Sequence, residues 1–120
     1  MESVLVILSQ GAAAVTATNL AEVFDVSARR EGLSVPRVEV VVEPLLASSL
    51  LAIPVDLHLA TRAAEIRAEH YHRTSCPLSL ADAILLAAPQ PGDKIATTDL
   101  DVLVVAAKIG IETVELPRKR

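Results

Sequence analysis

The stretch Leu78-Ser79-Leu80-Ala81-Asp82-Ala83-Ile84-Leu85-Leu86-Ala87-Ala88 places one acid in the first turn of an otherwise apolar helix. Pro77 blocks any helix from running into it, Ser79 is a favoured N-cap, and residues 89–93 read as a turn. Beyond that turn, residues 94–97 form an apolar strand. Asp99 opens a further helix that Gly110 ends, and residues 111–116 form a last strand. Helices alternating with short, nearly all-apolar strands predict an α/β fold whose mainly parallel sheet is covered by helices on both faces.

The same alternation extends toward the N-terminus. Residues 51–55 read as a strand, and Asp56 caps a helix through Arg67, with Ala60, Ala63, Ala64 and Arg67 at helical spacing. A helix begins at Pro36, a favourable first-turn residue, and reaches residue 48, with Pro44 expected to kink or split it. Residues 12–16 read as a buried strand, and Asn19 as the N-cap of a helix that runs to about Arg30 and stops at Gly32. Residues 3–9, ended by Gly11, are apolar and fit either a short strand or the last turns of a helix. With no repeat, low-complexity tract or linker, residues 1–120 read as a single domain.

Composition narrows the function. The chain is 52% hydrophobic, mostly Val, Leu, Ile and Ala, which suffices for one core. Phe24 and Tyr71 are its only aromatics, so bases are not read by a stacking platform. A net charge of −4 excludes a general polyanion binder. Contact with RNA would be local, at Arg29 and Arg30, at Arg62, Arg67 and Arg73, or at the tail Arg118-Lys119-Arg120, although for each the favoured reading is a solvated face. Cys76 is the only cysteine, which fits a reducing compartment. No apolar run reaches the ~20 residues of a membrane helix and no signal peptide is evident, so the protein is expected to be cytoplasmic and not membrane-bound.

Three acids lie at helix starts: Glu22, Asp82 and Asp99. Each has an ordinary explanation. Asn19-Leu-Ala-Glu22 and Ser79-Leu-Ala-Asp82 have the spacing of a capping box, and Asp99 is a good N-cap alone. Jointly they say more, because Glu22 and Asp99 directly follow strands, and in a parallel sheet such strand ends share the edge where ligands bind. Clustered carboxylates disfavour their own charged forms, and a hard divalent cation relieves that repulsion. Phosphodiester hydrolysis is a chemistry that uses such an ion. Ser79 and Thr97 can orient the acids or contact phosphate, though hydroxyls at such positions also serve only local hydrogen bonds.

The segments Thr16-Ala17-Thr18-Asn19-Leu20-Ala21-Glu22-Val23, Leu78 through Ala87, and Ala96-Thr97-Thr98-Asp99 resemble those of the PIN domain, a nuclease family, and especially its small VapC-type toxins. The likeness covers nearly the whole chain in the family's order. It implies a PIN-like fold and a Mg²⁺- or Mn²⁺-dependent endoribonuclease of toxin–antitoxin type. Glu22, Asp82 and Asp99 would be its catalytic residues and metal ligands, with Asp101 as an auxiliary ligand and Ser79 and Thr97 in support. The implied partners are an RNA substrate, a cognate small antitoxin whose tail occupies the groove, and a second copy in a homodimer. The family opens with a central strand ending in Asp, whereas no Asp precedes Glu22 here. The chain is therefore expected to be shortened, beginning inside the helix that follows that strand, or to have its true start upstream. Either residues 3–8 fill the gap or another chain supplies pairing. The missing acid also admits an alternative, a catalytically inactive PIN-like domain that binds an antitoxin or other protein.

The remaining polar residues read as peripheral. His70 and His72, two apart, do not share a helix face and are expected at the surface of a helix end. His58 reads as first-turn decoration, Cys76 as a structural thiol and Asp25 as a solvated acid.

Overall fold

Two four-residue strands, β1 (Val4–Ile7) and β2 (Ala13–Thr16), are joined only by residues 8–12. So short a link permits a hairpin and forbids the longer crossover that parallel pairing needs. Gly11 takes φ +91 in this turn. Leu8 N–H donates to the Ala12 carbonyl at 2.8 Å, and Gly11 N–H to the Leu8 carbonyl at 2.8 Å. The computed structural model describes residues 4–116, so the basic tail 118–120 lies outside it.

After β2 come α1 (Ala17–Glu31), α2 (Val35–Ser48), β3 (Leu50–Ile53), α3 (Leu57–His70), α4 (Leu80–Ala87), β4 (Lys94–Thr97), α5 (Leu100–Ile109) and β5 (Glu112–Glu115). The five strands lie in the order β3-β2-β1-β4-β5. β2 pairs parallel with β3, and β4 parallel with β5. β1 runs antiparallel to both of its neighbours, with Val6 opposite Ala14 on one side and Ile95 on the other. The sheet is thus mixed rather than mainly parallel. Residues 4–7 are its central strand and not the end of a helix.

The crossover from β2 to β3 moves one way along the sheet, and that from β4 to β5 moves the other. Right-handed connections in opposite directions put their helices on opposite faces. Packing agrees. Val6, Ala14 and Ile95 face a core built by Leu59, Ala63 and Ile66 of α3, Ala83 through Leu86 of α4, and Val102, Val105 and Ala106 of α5. On the other face, Leu5, Val15 and Leu50 line a cleft together with side chains of α1 and α2.

Local signals set most helix ends. Ser34, Asp56, Ser79 and Asp99 cap α2, α3, α4 and α5 with their side chains, and Gly32 and Gly110 end α1 and α5 in the left-handed conformation. Two expectations are corrected. Thr16, not Asn19, caps α1, because the helix begins immediately at the end of β2. α2 continues through Pro44, although a proline there removes one helical hydrogen bond. At the edge away from the acids, Asp93 is buried and ties the first hairpin to the turn before β4, accepting from Ser9 N–H at 2.9 Å and from Gln90 N–H at 2.8 Å.

Val6 is fully buried at the centre of the sheet, whereas Leu57 is 84% exposed. Val6→Ala is therefore expected to lower unfolding stability by about 2 kcal/mol, the loss from truncating a buried aliphatic side chain. Leu57→Ala should change it by less than ~0.5 kcal/mol. Urea denaturation of both variants measures the difference, and equal effects would contradict the central placement of β1.

Candidate functional site

The C-terminal ends of β2 and β4 flank the start of β1, where Val4 lies opposite Thr97. The crossovers diverge here, which is where open α/β sheets leave a crevice for ligands. Thr16 and Thr97, the last residues of β2 and β4, are both fully buried. Each hydroxyl holds the backbone that follows it. Thr16 Oγ1 accepts from Asn19 N–H at 3.1 Å, and Thr97 Oγ1 accepts from Asp99 N–H at 3.0 Å.

The three acids differ in how far capping occupies them. Asp99 Oδ1 accepts from Val102 N–H at 3.0 Å, so one of its oxygens serves α5. Asp82 lies three residues after the Ser79 cap. Its N–H donates to Ser79 Oγ at 3.1 Å, and the proximity of Ser79 works to lower the pKa of its carboxyl. Glu22 has no such role: with Thr16 as the cap, the box expected from Asn19 and Glu22 does not form, and Glu22 projects from the next turn of α1, exposed.

Asp82 connects them. Burial pushes its carboxyl up from 3.8 to about 6, the charges of Asp99 and Glu22 add to the rise, and the hydrogen bonds with Ser79 oppose it. Asp82 and Glu22 line one cleft of about 630 Å³, whose walls also include Asn19, Leu5, Val15 and Val42. Asn19 is only 5% exposed, and its Nδ2 has no hydrogen-bond partner among the described residues. A buried donor left unmade costs roughly 1–3 kcal/mol.

Burial, and after it the charges of Asp101 and Asp99, push the Cys76 thiol up, while Asp101 is not among the groups that raise Asp82. Ser79 and Thr97 hold the backbone of the acids through their hydroxyls. Carboxylate oxygens are the right chemistry for a hard divalent ion, and the unpartnered Asn19 amide belongs to the same cleft. As the side chains stand, no group of three His, Cys, Asp or Glu among the described residues is close enough to enclose an ion.

Arg29 and Arg30 line the same cleft as Glu22 and Asp82. Arg29 pairs with Asp25 across an exposed turn of α1, and Arg67 donates to the Leu78 carbonyl while stacking 4.4 Å from the Tyr71 ring centre. His70 departs from its expected surface position. Its side chain is 11% exposed, and its buried Nε2 lacks a hydrogen bond among the described residues. His72 is exposed, and its Nδ1 accepts from Thr74 and Ser75 N–H groups. The capping role of Thr16 and the burial of Asn19 are what motif reading missed. The usable signal was a β-branched hydroxyl closing an apolar strand three residues before a second polar side chain, the Ncap-to-N3 spacing.

No family model, curated protein or solved structure matches the chain. Among the described residues, no helix is long and apolar enough to cross a membrane.

Because the folded chain holds the Asp82 proton more tightly than the unfolded chain does, this group favours folding at low pH. Its contribution is lost as pH rises from about 4 through about 6, where the buried carboxylate becomes charged. Asp82→Asn keeps the capping geometry and removes that charge. At pH 7 the variant is expected to be more stable than the parent by on the order of 1–2 kcal/mol, after discounting for partial solvent screening, with the gap closing near pH 4. Thermal melts across pH 4–8 provide the comparison.

Proposed function

We propose that the chain is a PIN-like domain of the VapC toxin type, an endoribonuclease that hydrolyses RNA phosphodiester bonds at an acidic site with Mg²⁺ or Mn²⁺. The observation that carries this reading is the Asp82 carboxyl, partly buried at the divergence of two crossovers and raised by the charges of Asp99 and Glu22. An acid kept in that setting costs stability, and a divalent ion would relieve the cost. Asp82, Glu22 and Asp99 would hold the ion. When bound, it supplies positive charge to the attacked phosphate and lowers the pKa of its water.

The roles of the chain's own groups follow from their geometry. At pH 7 a carboxyl with a value of about 6 is mostly ionised, so Asp82 is available as a ligand while Ser79 fixes its orientation. Asp99 has one oxygen engaged by α5 and one left for the site. Glu22, free of capping, is the acid able to move toward the other two. The proposal extends to single-stranded RNA as substrate, a small antitoxin filling the cleft, a homodimer and a cytoplasmic setting.

A second reading is a catalytically inactive PIN-like domain that binds an antitoxin or other protein. It is favoured by the absence of an enclosed three-acid group among the described residues and by the lack of any acid in β1.

The two readings separate by experiment. Purified protein assayed on single-stranded RNA should cleave slowly with Mn²⁺ or Mg²⁺ and not at all with chelator. Asp82→Asn should lower the rate by tenfold or more, since it withdraws a ligand and the fixed orientation of attacking water. Mn²⁺ should also raise the melting temperature of the parent by a few degrees and leave Asp82→Asn unmoved. Absence of both cleavage and thermal shift selects the binding-only reading.

A further inference from the structure

Asn19 is the only asparagine in the chain. It lies in the first turn of the fifteen-residue helix α1, is almost wholly buried, and lines the cleft shared by Glu22 and Asp82. Its backbone is accounted for by the Thr16 hydroxyl, but its side-chain Nδ2 has no acceptor among the described residues. A buried amide donor is normally satisfied, so one left open beside a cleft calls for an explanation. The Asp82 and Glu22 carboxylates line the same cleft and do not accept from it. An acceptor brought by a ligand in the cleft would satisfy it. The position at the start of α1 indicates its charge, since the positive end of a helix favours an anionic oxygen.

We infer that Asn19 positions the substrate, its buried amide donating to a non-bridging phosphate oxygen of a single-stranded RNA strand laid in the cleft beside Glu22 and Asp82. The nature of the ligand rests on the nuclease reading above. The charged groups and the amide divide the work: the carboxylates would hold the cation, Arg29 and Arg30 on the same cleft add positive charge for a phosphate, and Asn19 fixes which oxygen points inward.

The test reads Asn19 itself. The only other side-chain amides belong to Gln10 and Gln90, both exposed, so the Asn19 NH₂ pair in a ¹⁵N–¹H spectrum is assigned by its disappearance in Asn19→Ala. Full-length protein in Mg²⁺ is titrated with an uncleavable 2′-O-methyl oligoribonucleotide of eight nucleotides, and separately with free nucleosides. The expected result is a shift of the Asn19 amide with the oligonucleotide and none with nucleosides. Asn19→Ala, and more strongly Asn19→Asp, should weaken binding by about tenfold or more, the loss expected when a hydrogen bond to a charged group is removed. The melting temperature of Asn19→Ala should be unchanged or higher, which a merely structural asparagine would not give.

An unmoved Asn19 amide, an equal response to nucleosides, or parent-like binding by both variants would overturn the inference. Cleavage of unmodified RNA without an Asn19 response leaves the nuclease reading standing and removes this one. An Asn19 response without cleavage does the reverse.

Discussion

Sheet pairing at the centre of the molecule depends on the length of one turn. β2 and β4 run in the same direction, and each would present an unpaired inner edge if nothing lay between them. Residues 8–12 are too few to carry the chain back along the sheet, so β1 can enter only antiparallel, and it pairs with both neighbours. That placement buries Val6 against Ala14 and Ile95 and closes the core over α3, α4 and α5. It also fixes which end of β1 meets the acids. A parallel central strand would deliver its last residue to the crevice, whereas this one delivers its first. Its far end instead meets Asp93 and the turn before β4, on the opposite edge.

Capping and ligand binding compete for the same carboxylates, and the outcome differs by residue. A capping carboxylate gains about 1 kcal/mol by satisfying helix N–H groups and needs no metal for it. Asp99 fits that description with one of its two oxygens. Asp82 fits it only in part, because its hydrogen bonds with Ser79 do not offset burial and the neighbouring charges, which together leave the carboxyl near 6. A cap alone would lower the value. The residual penalty is what burial and the two neighbouring charges cost Asp82 beyond its contact with Ser79.

Much of this was legible in the sequence, and the failures share a cause. The strand at 94–97, the caps Asp56, Ser79 and Asp99, and the stop at Gly110 were set by local chemistry and appear where they were read. Residues 4–7 were ambiguous because four apolar residues carry no period. What decides their state is the loop length to β2 and the gap between β2 and β4, neither of which is local. The cap of α1 was misplaced by three residues for a related reason: Thr16 ends a strand and starts a helix at once, so the strand pattern masked its second role. Burial of Asn19 and His70 depends on what packs over them from elsewhere, which spacing cannot report.

The misplaced cap changes the chemistry of the cleft. Had Asn19 been the N-cap, its side-chain oxygen would have accepted from a helix N–H and Glu22 would have closed the box. With Thr16 in that role, both side chains are released on the same side of α1, one buried and polar, the other exposed and charged, three residues apart and facing Asp82 across the cleft. The hydroxyl at the end of β2 thus does for α1 what Thr97 and Asp99 do together for α5. Because Thr16 opens the helix, the cleft keeps an amide and an acid that a helix capped by Asn19 would have turned toward its own backbone.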